Sequence, residues 1–402
     1  MDRLVKIRLH LITSGKYPLY MELIALFLLS GLGILWWWNS IYLPAWTPDG
    51  NTYQSAIDLV IEGRSPYEHY VYPYPPTIAL IGAWINKLWG EEAFRIGFRY
   101  VNLLGGCAAV WGSLLLTRWP WFLRLGLGSL GILFLPTLAS CVDNDNLSML
   151  ASGTTIVGII LWPHLPILTG ILLGFGLSLK PIGLIALFLL AAHRPPAPQR
   201  KHFLTSGIAA FTATILFSIS PKWFLSGLFH PNVKAAALDW ATGVLNVSFY
   251  RIFSCFGLKL SPLVFLSIFL VLGLIYVRRG PLNRGQLVCV ACTGSLLSLP
   301  IVWKHTLLLV LPVQCMAMAV ALRRSRQIWK RTHTHLERKN KLRSLSQLLL
   351  VTAGCVTVLE ADGYGVIGNW HPWVNGITLL IPITTLILLT GYVVRHESEP
   401  IT

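Results

Sequence analysis

Charge is scarce in this chain of 402 residues: 12% are charged, and 16 acidic residues stand against 32 Lys and Arg. A soluble globular domain carries about 25% charged residues, so too few are present for an ordinary water-facing surface. A glycine-rich phosphate loop, an H-E-x-x-H zinc helix and a serine-nucleophile elbow are all missing. Their absence argues against nucleoside-triphosphate and hydrolase chemistry. The seven cysteines are scattered, mostly inside apolar runs, and imply no disulfide framework. Cys289 and Cys292 form a C-x-x-C with apolar flanks, which suits small residues packed on a helix better than redox or metal chemistry. No metal-ligating residues and no resident cofactor are picked out, a divalent-metal requirement is left open, no repeat is visible, and no segment has the composition of a separate soluble domain.

What the chain has instead is apolar length. Hydrophobic residues make up 54% of it. They come in runs that match the ~30 Å hydrocarbon core of a bilayer, where backbone groups must be satisfied within helices. The expected fold is an all-α, polytopic transmembrane helical bundle, a single integral membrane domain over 1–402. About twelve spans are expected, near 20–41, 75–90, 97–117, 121–139, 147–162, 166–192, 203–220, 262–277, 286–301, 306–322, 345–360 and 373–394. The first run is too long for a signal-peptide core and reads as a retained anchor.

The net charge of +16 suggests nucleic acid as a partner, but the basic residues lie at the ends of apolar runs. They cluster at 3–16, 194–201 and 278–284, and most densely at 323–343. That is the pattern of the positive-inside rule, so membrane lipids are expected as partners and nucleic acid is not. The expected location is the cell membrane, with both termini cytoplasmic and a basic cytoplasmic loop at 323–344. Two C-terminal spans follow within 345–394, and polar outer segments fall at 44–74, 221–261, 302–305 and 361–372. One joint conflicts with this alternation. It places Arg118 and Arg124 outside and the acidic stretch 141–146 inside, both of the wrong sign, so spans four and five are expected to be short, broken or re-entrant.

The first outer segment concentrates polar chemistry. Residues 44–76 hold Asp49, Asp58, Glu62, Arg64, Glu68 and His69 among five tyrosines and one tryptophan. Asp49 lies between Pro48 and Gly50, in a turn at the membrane edge, and is the stronger of two candidate catalytic carboxylates, Asp58 being the other. Asp58 belongs to a short amphipathic helix and reads as its solvent face. The stretch Y-V-Y-P-Y-P-P, Tyr70 to Pro76, alternates tyrosines with prolines that stiffen it. It makes either an interfacial aromatic belt or a shaped wall for a sugar or isoprenoid. Farther on, Pro300 precedes Trp303, Lys304 and His305, which form either a hairpin tip with a snorkelling lysine or part of an aqueous cavity. Asn246 and Ser248 form an N-x-S triplet with Arg251 close by, and Asn146 with Ser148 forms another. Lys180 before Pro181 puts a cation in an apolar span, which calls for an anionic partner, a watery cavity or an interface.

These residues fall in an order that resembles glycosyltransferase family 87, of the GT-C class of polyprenyl-phosphate-sugar-dependent membrane enzymes. The resemblance is carried by Asp49 and Tyr53 (D-x3-Y), Gly63, Pro66 and Tyr67 (G-x2-P-Y), and Tyr74, Pro75 and Pro76. It continues through Asn146, Lys180 with Pro181, Asn246 with Ser248 and Arg251, and Ser298, Pro300, Trp303 and His305, covering about 45–310. Asp143, Asn144 and Asp145 depart from it, standing where the family has a glycine and a glutamine. The resemblance implies a GT-C-like core over 20–322 with a catalytic first outer loop. It also implies mannosyltransferase-like, inverting transfer of one hexose from a polyprenyl-phosphate donor to a lipid or glycan acceptor on the outer face. Asp49 would be the general base, Arg251, Lys304 and His305 would bind the donor phosphate, and Tyr53, Tyr67, Tyr74, Asn146, Lys180, Asn246 and Trp303 would line the substrate pocket. The rival expectation is a transporter or lipid flippase with a midplane site at Lys180 and the broken spans; it requires inverted repeats, and none is visible.

Overall fold

The computed structural model describes residues 19–69, 72, 74–162, 165–180, 182, 186, 189–190, 200–218, 220, 222–223, 227, 230–233, 235, 246, 248–258, 267–268, 270–273, 275, 282–299, 302, 304–331, 335–359 and 372–397. Among the described residues it is all-helical: 85% are in helices and no strand occurs.

Helix α1 (Leu19–Trp36) carries the chain from one end of the bundle to the other, where the short α2 (Trp38–Ile41) and α3 (Pro48–Ile61) follow. A 3-10 turn (Pro66–Glu68), α4 (Thr77–Trp89) and α5 (Glu91–Leu115) come next. With 25 residues, α5 is about 37 Å long. It begins where α1 ends, since Arg99 donates to the Ile41 and Leu43 carbonyls. It finishes where α1 begins: the Arg124 guanidinium lies 5.1 Å from the Trp111 ring and is paired with Glu22.

The stretch 75–90, expected to cross, behaves differently. Helix α4 has 13 residues, about 20 Å, and packs along α3, with Gly82 against Ile57 and Asn86 donating to Gln54 at 3.5 Å. Trp46 donates to Glu91 at 3.1 Å, just beyond the end of α4. Both ends of α4 therefore stay at the Asp49 end of the bundle.

That shift reverses the next elements. Helices α6 (Trp121–Phe134) and α7 (Pro136–Asp143) bring the chain back with a 44° bend at their junction, where Pro136 removes a backbone donor. The acidic stretch 141–146 thus lies beside Asp49, and the Arg118 turn lies at the start of α1. The expected placement of both on the other ends is corrected. Helix α8 (Ser148–Leu161) runs parallel to α5, so close that a Cβ on Gly153 would meet the Gly105 carbonyl at 2.1 Å. Helix α9 (Pro166–Leu179) returns antiparallel and stops at Lys180, whose backbone is extended. The paired contacts of Gly170 with Gly207 and Gly174 with Phe211 make α10 (Arg200–Ser218) parallel to α9.

Beyond lie α11 (Phe249–Cys255), α12 (Arg284–Leu297), a 3-10 segment (Lys304–Val310), α13 (Leu311–Arg331), α14 (His335–Leu359) and α15 (Pro372–Glu397). Of the basic stretch 323–344, residues 323–331 and 335–344 are helical. Helices α13 and α14 extend through it, which its helix-favouring Arg, Lys, Gln and Leu residues allow, and Ser344 donates to Ser325 between them at 2.8 Å. Among the described residues, Lys304–Trp329 and Val374–Glu397 are long and apolar enough to cross a membrane, and the bent pair α6–α7 would make three. The other apolar helices are shorter, among them Tyr20–Trp36, Ser148–Leu161 and Pro166–Leu179, while α5 is long enough but, with Arg95, Arg99 and Asn102 in it, is not among those apolar enough by composition alone.

Candidate active site

Asp49 is set by the start of α3. Thr47 is extended at the N-cap, Pro48 occupies the first helical position, and Asp49 follows in the first turn. A proline fits there because its missing N–H would be unpaired anyway, and a carboxylate is favoured at the positive end of the helix dipole. The Thr47 side chain does not cap its own helix. Its N–H (3.1 Å) and hydroxyl (2.9 Å) both donate to Asp145.

Asp145 is the centre of a buried clamp. It accepts from Arg99 Nε at 2.6 Å and Nη2 at 2.8 Å. Arg99 also donates to the carbonyls of Ile41 (3.2 Å), Leu43 (2.8 Å) and Ala45 (2.8 Å), so one guanidinium gathers the chain leading from α1 into α3. Gly50 is required here: a Cβ would stand 2.9 Å from the Asp145 carboxylate and 2.3 Å from the Trp46 ring. Asp145 itself adopts a left-handed backbone, φ 52°, a conformation that Asp tolerates better than most side chains.

Beside the clamp, Asn146 links Asp49 to Lys180. Its amide nitrogen donates to Asp49 Oδ2 in a short contact. Its side-chain oxygen accepts from Ser148 N (2.9 Å) and Lys180 Nζ (3.4 Å), and Lys180 also donates to Ser148 Oγ at 2.8 Å. Asn102 fixes this turn by donating to the Asn146 carbonyl (2.7 Å) and accepting from Leu150 N (3.0 Å). The Lys180 ammonium lies 5.8 Å from the Tyr74 ring, and Tyr74 packs edge-on against Tyr53 with centroids 5.3 Å apart.

Burial pushes the Asp49 carboxyl above its ordinary range; the Asn146 hydrogen bond and the Lys180 charge pull it back, and Asp145 pushes it up again. Burial likewise holds the Tyr53 phenol protonated well above its usual value, so Tyr53 can orient a group but not act as a base. His305 is buried at the start of its 3-10 segment. Its carbonyl accepts from Cys141 Sγ at 3.7 Å, and the Lys180 charge acts on its ring. His305 therefore stands at the same end as Asp49.

The remaining expected residues divide. Asn246 is fully buried and accepts from Ser248 N (3.2 Å) and Val302 N (2.8 Å), so it fastens the start of α11 to the strand of chain before Lys304. Ser248 caps α11 by accepting from Arg251 N at 3.2 Å. Arg251 is half-buried, and its Nε is buried with no hydrogen-bond partner among the described residues. Lys304 is half-buried. Tyr67 stands farther out, 5.9 Å from the Tyr72 ring and packed over Gly227. Trp303 lies outside the described residues. Asp58 is exposed and accepts from Gln54 at 2.7 Å, as a solvent-face residue should. Among the described residues no group of three His, Cys, Asp or Glu could hold a metal ion.

Arg99, Asn102 and Asp145 were not foreseen as site residues. The signal for Arg99 was available, because an arginine inside an apolar run is costly unless it has a partner. No family model matches the chain, and no curated protein or solved structure matches it either.

Proposed function

We propose that the chain is an integral membrane glycosyltransferase. In this reading it transfers a hexose, with inversion, from a polyprenyl-phosphate donor to a lipid or glycan hydroxyl at the outer face of the cell membrane. The observation that carries the reading is the Asp49–Asn146–Lys180 chain: a carboxylate made more basic by burial, at the same end of an apolar bundle as His305.

Asp49 takes the proton of the acceptor hydroxyl as that oxygen attacks C1. The C1–O bond to phosphate breaks, and its electron pair leaves with the polyprenyl phosphate. Lys180, Arg251 and Lys304 supply positive charge where the leaving group develops its own, and the buried His305 ring offers it a hydrogen bond rather than a charge. Tyr53 and Tyr74 shape the wall next to Asp49, while Asn246 acts through packing.

The test is Asp49→Asn in membranes given a polyprenyl-phosphate hexose. The substitution keeps the side chain's size and removes the base, so transfer is expected to fall by 10²-fold or more, on the order of a general-base contribution. Wild-type turnover by the variant would remove the assignment. Movement of labelled lipid by the wild-type protein without any product would favour a transporter instead.

A further inference from the structure

Helix α4 is apolar on two faces, and only one has a protein partner. Ile78, Ala79, Gly82 and Ala83 are buried, with Gly82 against Ile57 of α3. Ile81, Trp84, Leu88 and Trp89 are exposed, Trp84 by 60% and Trp89 by 64%, with their two rings 5.7 Å apart. Positions 81, 84 and 88 share one helix face. A helix that is apolar all round belongs in a core or in a membrane, and here the core takes one side only. The helix is about 20 Å long, too short for a ~30 Å hydrocarbon core, and both its ends stay beside α3. Val101 and Leu104 of the neighbouring α5 are exposed as well.

We propose that α4 lies flat in the outer headgroup boundary with Ile81, Trp84, Leu88 and Trp89 against phospholipid, and that α5 makes the second crossing. Tryptophans are favoured at that depth, where the ring is apolar and its N–H stays wet. The sign of charge at two later turns follows. With α5 crossing inward, Arg118 and Arg124 come to the end where α1 begins, which the basic run 3–16 precedes in the sequence, and Asp143 and Asp145 come to the side of Asp49. Both turns then obey the positive-inside rule that a crossing at 75–90 would break.

The proposal rests on the membrane reading but not on the glycosyl-transfer chemistry. Single cysteines at exposed positions test it in the full chain: Glu62→Cys, Glu92→Cys, Pro120→Cys and Asp143→Cys, with Arg118→Cys as a second choice for the third. The seven native cysteines are buried or half-buried and set the background. A membrane-impermeant maleimide is applied to sealed cells before and after permeabilisation. Glu62, Glu92 and Asp143 variants are expected to label alike in sealed cells, and the Pro120 variant only after permeabilisation. Any partition that separates Glu92 or Asp143 from Glu62 overturns the proposal. Equal labelling of all four in sealed cells would remove the membrane reading itself.

Discussion

The clamp at Asp145 gives the sharpest prediction about how Asp49 is held. Asp145→Asn keeps the shape but removes the charge that faces Arg99, and both side chains are almost fully buried. Breaking a buried pair from one side costs about 3–5 kcal/mol, because the remaining charge is left uncompensated. Three carbonyls still accept from Arg99, so the lower end of that range, about 3 kcal/mol, is expected. Arg99→Met should cost more, since it strands those carbonyls as well as Asp145. Asp145 also holds Thr47, two residues before Asp49, so the base loses its register along with the clamp. A misplacement of about 1 Å costs on the order of 10²-fold in rate. The assay is paired: unfolding in mixed micelles, and hexose transfer at saturating donor. Asp145→Asn should lower both stability and kcat and leave the KM for the donor little changed, whereas a purely structural lesion would lower the folded fraction without changing kcat per folded molecule. Stability within about 0.5 kcal/mol of wild type, the range of ordinary surface changes, together with full transfer would refute the reasoning.

Two further outcomes follow from other parts of the molecule. With Asp49 as the proposed base and its carboxyl above the ordinary range through burial, transfer should rise with pH through that raised value. Lys180→Gln, which removes a charge that favours the carboxylate, should move this ascending limb to higher pH in a pH–rate profile, and a limb that stays put would count against the Asp49–Lys180 coupling. At the far end of the bundle Arg124 forks onto Glu22 at 3.1 and 2.7 Å, both residues buried. Arg124→Ala should cost about 3–5 kcal/mol, seen as lower recovery from detergent. Adding Glu22→Gln should restore much of it, and kcat per folded molecule should not change.

The helical character and the basic ends of apolar runs could be read directly, because a chain this poor in charge has few other ways to satisfy its backbone. The different surroundings of Asp49 and Asp58 were also legible, since Pro48 and Gly50 frame the first and helical periodicity exposes the second. The stretch 75–90 reads as a span because hydropathy counts apolar residues without asking what they face: Gly82 packs on α3, while Trp84 and Trp89 are exposed. With α4 lying flat as proposed, the wrong-signed loops at Arg118 and 141–146 trace to the reading of 75–90 as a span, two elements upstream. In stretch 323–344 charge marks water rather than irregular backbone: 323–331 and 335–344 are helical, since Lys, Arg and Gln continue a helix well. The Arg99–Asp145 pair spans 46 residues and is made only by the return of α6 and α7. No local pattern announces it.

The arrangement around Asn146 explains how one site can hold a base and a cation without spoiling either. A lysine in direct contact with Asp49 would favour the ionised carboxylate and lower its basicity, by one to three pK units for a close pair. The ammonium would then be spent on that carboxylate and less available to an incoming anion. Asn146 separates them: its NH2 faces Asp49 and its carbonyl faces Lys180. Burial then remains the largest influence on Asp49, and its net effect is to raise the carboxyl. The task needs a side chain that donates at one end and accepts at the other. Aspartate in its charged form cannot donate, leucine can do neither, and serine is too short to span both partners. Asparagine meets the requirement, and Asn102, Ser148 N and the Asp145 clamp hold its amide in the single orientation that serves both neighbours.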